Sequence, residues 1–346
     1  MKTFDLASLV RPNIRALQPY RSARDEFRGK ASLYLDANEN PFPSAYHRYP
    51  DARQQALRDA VASFHGTTPA QTLVTHGSDE AIDLLIRAFC RPQCDNIITL
   101  QPTYGMYATF AAINDVDVRE VPLTPSFELD LTAVRQACDS NSRIIFLCSP
   151  NNPSGNLLRP SKIRELLRTF PGIVVIDEAY IDFADAASWT ESLNQFPNLV
   201  VLQTFSKSWG LAGIRAGLCF ADPGIIQVLQ KIKPPYNISS AAEKTILHVL
   251  RRQHRRMMRL AEVIREERTA LSQALRHIRI VRKVYPSDAN FLLVRVDDAE
   301  SVYQALLAKG VVVRLRSGAL HCDNCLRITV GTPAQNKRLL QLFKSL

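Results

Sequence analysis

A lysine set among hydroxyls is the feature of this 346-residue chain with the most chemical promise. The run Phe205-Ser206-Lys207-Ser208-Trp209-Gly210-Leu211-Ala212-Gly213-Ile214-Arg215 places an amine between two serines, with an arginine eight residues on. An amine must lose its proton to act as a nucleophile, and a cationic neighbourhood favours that loss. Asp177 ends the apolar run 173–176, and a carboxylate closing a buried strand is costly unless something cationic meets it. A structural salt bridge would meet it as well as a ligand. Gly77-Ser78-Asp79 follows the apolar run 73–75 and reads as a small-residue turn opening a helix. The free N–H groups and positive end of such a helix hold phosphate, although an ordinary N-cap uses the same residue types. Ser149-Pro150-Asn151-Asn152-Pro153-Ser154-Gly155 after the run 144–148 is turn-forming in its own right. Taken together, an amine, a buried carboxylate and a phosphate cradle suit pyridoxal 5′-phosphate. That cofactor needs a lysine for its aldehyde, an aspartate to keep its ring nitrogen protonated and an anchor for its phosphate.

For these groups to meet, the strands before them must end on one edge of a sheet, since open α/β sheets bind ligands beyond their carboxyl ends. Apolar runs at 73–75, 97–100, 116–121, 144–148, 173–176 and 200–204 alternate with helical patterns at 78–90, 131–137 and 162–169. That alternation predicts a mainly parallel sheet covered by helices on both faces. Asp51 is placed to cap a helix carrying Leu57, Val61 and Phe64, stopped by Gly66. A long helical region, 239–278, is followed by strands near 290–296, 311–315 and 326–330, interleaved with helices at 299–309 and 333–346. The change of rhythm marks a smaller α+β unit. The predicted organisation is therefore α/β: an irregular N-terminal arm (1–30), a large domain (51–240) and a small C-terminal domain (241–346). Length alone favours about two domains.

Composition narrows the class. The chain is 46% hydrophobic and 22% charged, which excludes a disordered or collagen-like protein. Its longest unbroken apolar run, 144–148, is far short of the ~20 residues that span a membrane, and residues 1–20 lack a secretory h-region. Seven cysteines without framework spacing favour reduced thiols in the cytoplasm. The net charge of +10 raises nucleic acid as a partner. Yet the densest basic stretch (Arg251, Arg252, Arg255, Arg256 and Arg259) reads as a solvated helix face, partly balanced by Glu262, Glu266 and Glu267. No zinc-finger or RNP-like motif accompanies it, and an anionic small molecule explains the positive field just as well. His321-Cys322-Asp323-Asn324-Cys325 contains a C-x-x-C, and Cys90 and Cys94 form a C-x3-C; both read as ordinary thiols, and no metal is expected.

Over nearly its whole length the chain resembles the histidinol-phosphate aminotransferases, within the fold type I (aspartate aminotransferase-like) pyridoxal-phosphate enzymes. The marks are Leu35-Asp36-Ala37-Asn38-Glu39-Asn40-Pro41, Arg48-Tyr49-Pro50, Gly77-Ser78-Asp79-Glu80, Pro102-Thr103-Tyr104-Gly105-Met106-Tyr107, Cys148-Ser149-Pro150-Asn151-Asn152-Pro153, Asp177-Glu178-Ala179-Tyr180, Thr204-Phe205-Ser206-Lys207 and Leu326-Arg327-Ile328-Thr329-Val330-Gly331. Gln203 is a departure, because family members often carry Arg there. The resemblance implies that Lys207 is the Schiff-base lysine and moves the proton, and that Asp177 pairs with the pyridinium nitrogen. It implies that Asn152 and Tyr180 bond the ring's phenolic oxygen, and that Tyr104 stacks on the ring. Ser78 and Asp79, largely through their N–H groups, would bind the cofactor phosphate with Ser206, Arg215 and the Gly77 turn. Tyr49 would reach the phosphate of a partner subunit's cofactor in a homodimer, with 31–50 lying by the small domain and the dimer contact. Tyr20, Arg314 and Arg327 would meet at the substrate's phosphate. The implied reaction is ping-pong transamination between L-histidinol phosphate and 2-oxoglutarate, giving imidazole-acetol phosphate and glutamate, a step of histidine biosynthesis. A threonine-phosphate decarboxylase or a broad aromatic aminotransferase would use the same scaffold. A basic nucleic-acid-binding protein is the alternative from another class.

Overall fold

The computed structural model describes residues 4–19, 23–27, 29 and 31–346. Seven strands make the larger sheet: β1 (Thr72–Thr75), β2 (Asn96–Gln101), β3 (Asp117–Pro122), β4 (Ser142–Cys148), β5 (Ile173–Asp177), β6 (Leu199–Thr204) and β7 (Gly217–Ala221). Their spatial order is β1-β7-β6-β5-β4-β2-β3. From β3 to β6 the neighbours run parallel, while β7 is antiparallel to both β6 and β1. The parallel strands read as continuous apolar runs because each face meets its own core. Ile144 and Phe146 join the cluster containing Leu85, Phe89 and Ile225, whereas Ile145 and Leu147 join the one containing Leu166, Phe205 and Trp209.

The second sheet is antiparallel, with β8 (Val281–Val284), β9 (Phe291–Val296), β10 (Arg314–Leu315) and β11 (Cys325–Thr329) in the order β10-β11-β9-β8. One face packs Val294, Leu326 and Ile328 against Leu271 and Leu275 of helix His254–Arg276 and Phe343 of helix Pro333–Lys344. The other face looks toward the first sheet, with Leu293 and Cys325 packed into its core.

Several elements differ from the pattern read along the chain. Strands β7 and β8 and helices Met106–Ile113 and Pro223–Ile232 have no counterpart in that pattern. The strand expected over 311–315 shrinks to two residues, because the N–H of Val311 is taken by the Leu306 carbonyl closing the helix Ala299–Ala308. The long helical region contains a π-helical turn, Val249–Gln253, between Ser240–His248 and His254–Arg276. The arm is less irregular than expected, carrying short helices at Leu6–Leu9, Pro12–Ala16 and Ala23–Glu26. Asp51 supports its helix (Gln55–His65) from outside the cap position. Its carboxylate accepts from the N–H groups of Arg53 and Gln55 at 2.9 and 2.8 Å, while Gln54 takes the left-handed cap. Gly66 ends the helix with φ +65°.

Candidate active site

The chemistry gathers at one edge because β4, β5 and β6 are parallel and in step. Cys148 pairs with Asp177, and Asp177 with Leu202, so the segments after them leave the sheet side by side. The Ser149 N–H donates to the Asp177 carbonyl at 2.9 Å, and the Glu178 N–H to that of Leu202 at 2.8 Å. Strand β7 brings the phosphate cradle to the same edge: Gly217 lies opposite both Thr75 and Thr204. A Cβ on Gly217 would stand 2.2 Å from the Ser78 nitrogen, so only glycine lets the helix Gly77–Phe89 start there. Gly77 itself has φ +73°, and a Cβ there would meet an Arg215 terminal nitrogen at 3.0 Å.

Asp177 is 3% exposed and has no cationic partner within 4 Å among the described residues. Its carboxylate accepts from the Tyr107 hydroxyl at 2.6 Å and from the Ala179 N–H at 3.1 Å. Burial pushes its pKa up, and the Tyr107 hydrogen bond opposes the rise. Tyr107 is fully buried and stacked on Phe146, with ring centroids 4.8 Å apart. Residue type and spacing assign it no role of its own. Its place in the run Tyr104-Gly105-Met106-Tyr107 is the available signal, but a tyrosine on an apolar helix face reads as core.

Lys207 sits exposed in the turn after β6, with its Nζ 5.6 Å from the centre of the Tyr180 ring. Desolvation by the surrounding atoms lowers its pKa, and the Arg327 charge lowers it further, while Asp177 and Asp79 oppose. The amine therefore loses its proton more readily than a free lysine, as a nucleophile or proton carrier requires. Tyr180 is buried edge-on against Phe291, and burial raises its hydroxyl. Asn152 is buried, and its Oδ1 accepts from Arg327 Nη1 at 2.5 Å. Arg327 reaches it from β11, 175 residues away, passing over the Phe291 ring.

At the cradle, the Tyr104 hydroxyl donates to Asp79 Oδ1 at 3.0 Å, and Arg215 stands 3.7 Å from the other Asp79 oxygen. Arg215 adopts a left-handed backbone (φ +55°) where it closes the short turn Ala212–Ile214. The Ser206 N–H donates to Thr204 Oγ1 at 3.1 Å. The structure thus gathers Gly77, Ser78, Asp79, Tyr104, Asn152, Asp177, Tyr180, Ser206, Lys207, Arg215 and Arg327 around one edge. Arg314 is exposed directly across the ladder from Arg327. Tyr49 stands apart: it is 51% exposed and stacks on Tyr236 at 4.5 Å, lining a separate cavity of about 390 Å³. Tyr20 lies outside the described residues.

Pyridoxal phosphate fits this donor set. A buried carboxylate with no cation within 4 Å among the described residues suits a protonated ring nitrogen, the amine suits an aldehyde, and a helix start without a side-chain cap hydrogen bond beside Arg215 suits a phosphate. Glu178, next to Asp177, faces the other way. It is buried and accepts from the Ser188 hydroxyl (2.6 Å), the Trp189 N–H (2.8 Å) and Gln203 Nε2 (2.9 Å), and burial pushes it up to about 7. Cys322 and Cys325 are free, buried thiols; burial moves Cys322 up to about 12 and raises Cys325 too. The His321 ring is hydrogen-bonded to the Leu123 carbonyl at 3.1 Å.

Comparison with known proteins points the same way. A family model described as aminotransferase class I and II matches residues 37–343. A protein of Christiangramia forsetii named histidinol-phosphate aminotransferase is 50% identical, over 100% of this chain and 99% of its own. One of the same name from Parabacteroides distasonis is 50% identical over 99% of both chains. The solved structure of a histidinol-phosphate aminotransferase from Sinorhizobium meliloti, in complex with pyridoxal-5′-phosphate, is similar in fold. Its TM-score is 0.78 at 24% identity, over 89% of each chain.

Proposed function

The chain belongs to the aminotransferase class I and II family and is a pyridoxal-phosphate-dependent transaminase of the histidinol-phosphate type; from that premise we propose how its own residues carry the reaction. The substrates are L-histidinol phosphate and 2-oxoglutarate, and the products imidazole-acetol phosphate and glutamate. The observation that carries the reading is the meeting of Lys207, the buried Asp177 carboxylate and Arg327 at one edge, with Arg314 across the ladder from Arg327.

Bound there, pyridoxal phosphate supplies an aldehyde for the substrate amine and a protonated ring that draws electron density from the bond being broken. Asp177 holds the proton on the ring nitrogen, and Tyr107 fixes the carboxylate's orientation. Lys207 Nζ would accept and carry the proton removed from the substrate carbon, a task helped by its lowered pKa. Asn152 gives its carbonyl oxygen to Arg327 and so leaves its amide N–H free for the ring's phenolic oxygen, which Tyr180 also bonds. Tyr104, tied to Asp79, covers the ring face. The N–H groups of Gly77, Ser78 and Asp79, the Ser206 hydroxyl and Arg215 hold the cofactor phosphate. Arg314, Arg327 and Tyr20 hold the substrate's phosphate, and Arg327 takes the carboxylates of the second substrate.

The enzyme works as a homodimer in which Tyr49 completes the neighbour's phosphate site. A run of exposed apolar side chains beside it supports this reading: Leu33, Leu35, Phe42 and Tyr46. We place the protein in the cytoplasm, supported by its seven free cysteines. The division into a large domain (51–240) and a small one (241–346) is supported by the two sheets. Assaying glutamate against carbon dioxide, with histidinol phosphate, histidinol, phenylalanine and threonine phosphate as donors, tests the reading. Preference for an unphosphorylated donor, or carbon dioxide release, would reject it.

A further inference from the structure

The edge of the small sheet carries one more guanidinium than the proposed site uses. Leu315 packs into that sheet's apolar core, so its neighbours Arg314 and Arg316 belong to the opposite face by strand alternation. Arg314 lies across the ladder from Arg327, and the Arg316 N–H extends the pairing by donating to the Cys325 carbonyl at 2.9 Å. Three arginines therefore share a face of two adjoining strands, with Arg314 between the other two, and Arg327 reaches Asn152 beside Lys207.

Among the described residues no carboxylate lies within 4 Å of Arg314, Arg316 or Arg327. The Arg316 side chain makes no hydrogen bond among them, and its Nε is buried without a partner, as is the neighbouring Ser317 hydroxyl. Burial lowers the Arg316 pKa, and the charges of Arg327 and Arg314 lower it further, so the cluster repels itself. Such an arrangement is costly unless a multiply charged anion joins it.

We infer that Arg316 is a specificity-determining residue that binds the substrate's phosphate dianion together with Arg314. This rests on the substrate reading above. Arg327 is shared among the phosphate, Asn152 and the carboxylates of the second substrate, so it matches the dianion's two charges only in part. Arg314 supplies one charge outright, and Arg316 makes up the other. A fork that is unengaged among the described residues offers two parallel donors to phosphate oxygens.

Steady-state kinetics of the holoenzyme test the assignment, with Arg316→Gln and Arg316→Lys beside the parent and inorganic phosphate as a competing probe. In Arg316→Gln the KM for histidinol phosphate should rise about tenfold or more relative to the KM for glutamate, the size of one charge-assisted contact. Inhibition by inorganic phosphate should weaken in parallel, and Arg316→Lys should recover part of both. A structural role would lower the melting temperature and kcat for both substrates without moving the KM ratio. Should Arg316→Gln not fold, Arg316→Lys must itself raise that ratio about threefold, since a point charge replaces the fork. A parent-like ratio and parent-like phosphate inhibition in a folded variant, with a parent active on histidinol phosphate, would overturn the role of Arg316 alone. A parent that ignores histidinol phosphate and prefers an unphosphorylated amine would overturn both readings.

Discussion

Replacing Glu178 with glutamine should flatten the pH dependence of stability between pH 4.5 and 7. In the unfolded chain this carboxyl ionises near 4.5, whereas in the folded protein burial raises it to about 7. Across that window the folded state keeps a proton that the unfolded state has released. Stability is therefore full below pH 4.5 and falls as pH rises, until the folded group also ionises near 7. Each tenfold difference in proton affinity between the two states is worth about 1.4 kcal/mol, so the loss reaches at most about 3 kcal/mol by pH 7. The cause is specific: among the described residues the Glu178 carboxyl meets only the neutral donors Ser188, Trp189 N–H and Gln203, and Asp182 adds to the raise. Gln203→Arg would put a cation beside it, hold the carboxyl ionised and remove the loss above pH 5. The assay is the melting temperature of the holoenzyme from pH 5 to 8 for the parent, Glu178→Gln and Gln203→Arg. Glu178→Gln should melt lower at pH 5 because it loses acceptors, yet its curve should run flatter than the parent's. Parallel curves for the three proteins would refute the argument.

Three other substitutions probe the site. Lys207→Ala should keep the fold and lose essentially all turnover, and mass spectrometry after borohydride treatment should find no pyridoxyl group on the chain; a pyridoxyl on another lysine would relocate the site. Tyr107→Phe keeps the stacking on Phe146 but removes the 2.6 Å hydrogen bond to Asp177, a charge-assisted contact of roughly 1.5–3 kcal/mol. Cofactor affinity, measured by titrating the apoenzyme and following its fluorescence, should fall about tenfold or more, and parent-like affinity would show that Asp177 needs no orienting partner. Arg314→Ala should impair the histidinol-phosphate half-reaction far more than the glutamate half-reaction, while Arg327→Ala should damage both, by roughly 2–5 kcal/mol for a desolvated charged contact. Stopped-flow measurement of each half-reaction separates them, and equal effects would reject the division of labour.

Local pattern determined much of this protein. The strands β4, β5 and β6 were legible because burial on both faces demands unbroken apolar runs, and each run ends where polar chemistry begins. That is why Asp177, Lys207 and the Gly77-Ser78-Asp79 turn stood out: each breaks an apolar pattern at a strand's carboxyl end. The helix at Gln55–His65 and its stop at Gly66 were legible for the same local reason, periodicity followed by a residue free to take a positive φ. Other features depend on partners far along the chain and only the tertiary structure decided them. Tyr107 reads as core until the fold sets it against Asp177, 70 residues away. Arg327 reads as a strand-end charge until β11 carries it to Asn152. Strand β7 is as long and as buried as β5, and nothing in its residue types tells that it inserts antiparallel between β1 and β6, the placement that sets the phosphate cradle beside Lys207. The shortening of β10 likewise follows from a helix-end carbonyl claiming the Val311 N–H, a competition that no run of residue types records. Residue type and spacing report what a segment buries, whereas only the chain's path reports what it is buried against.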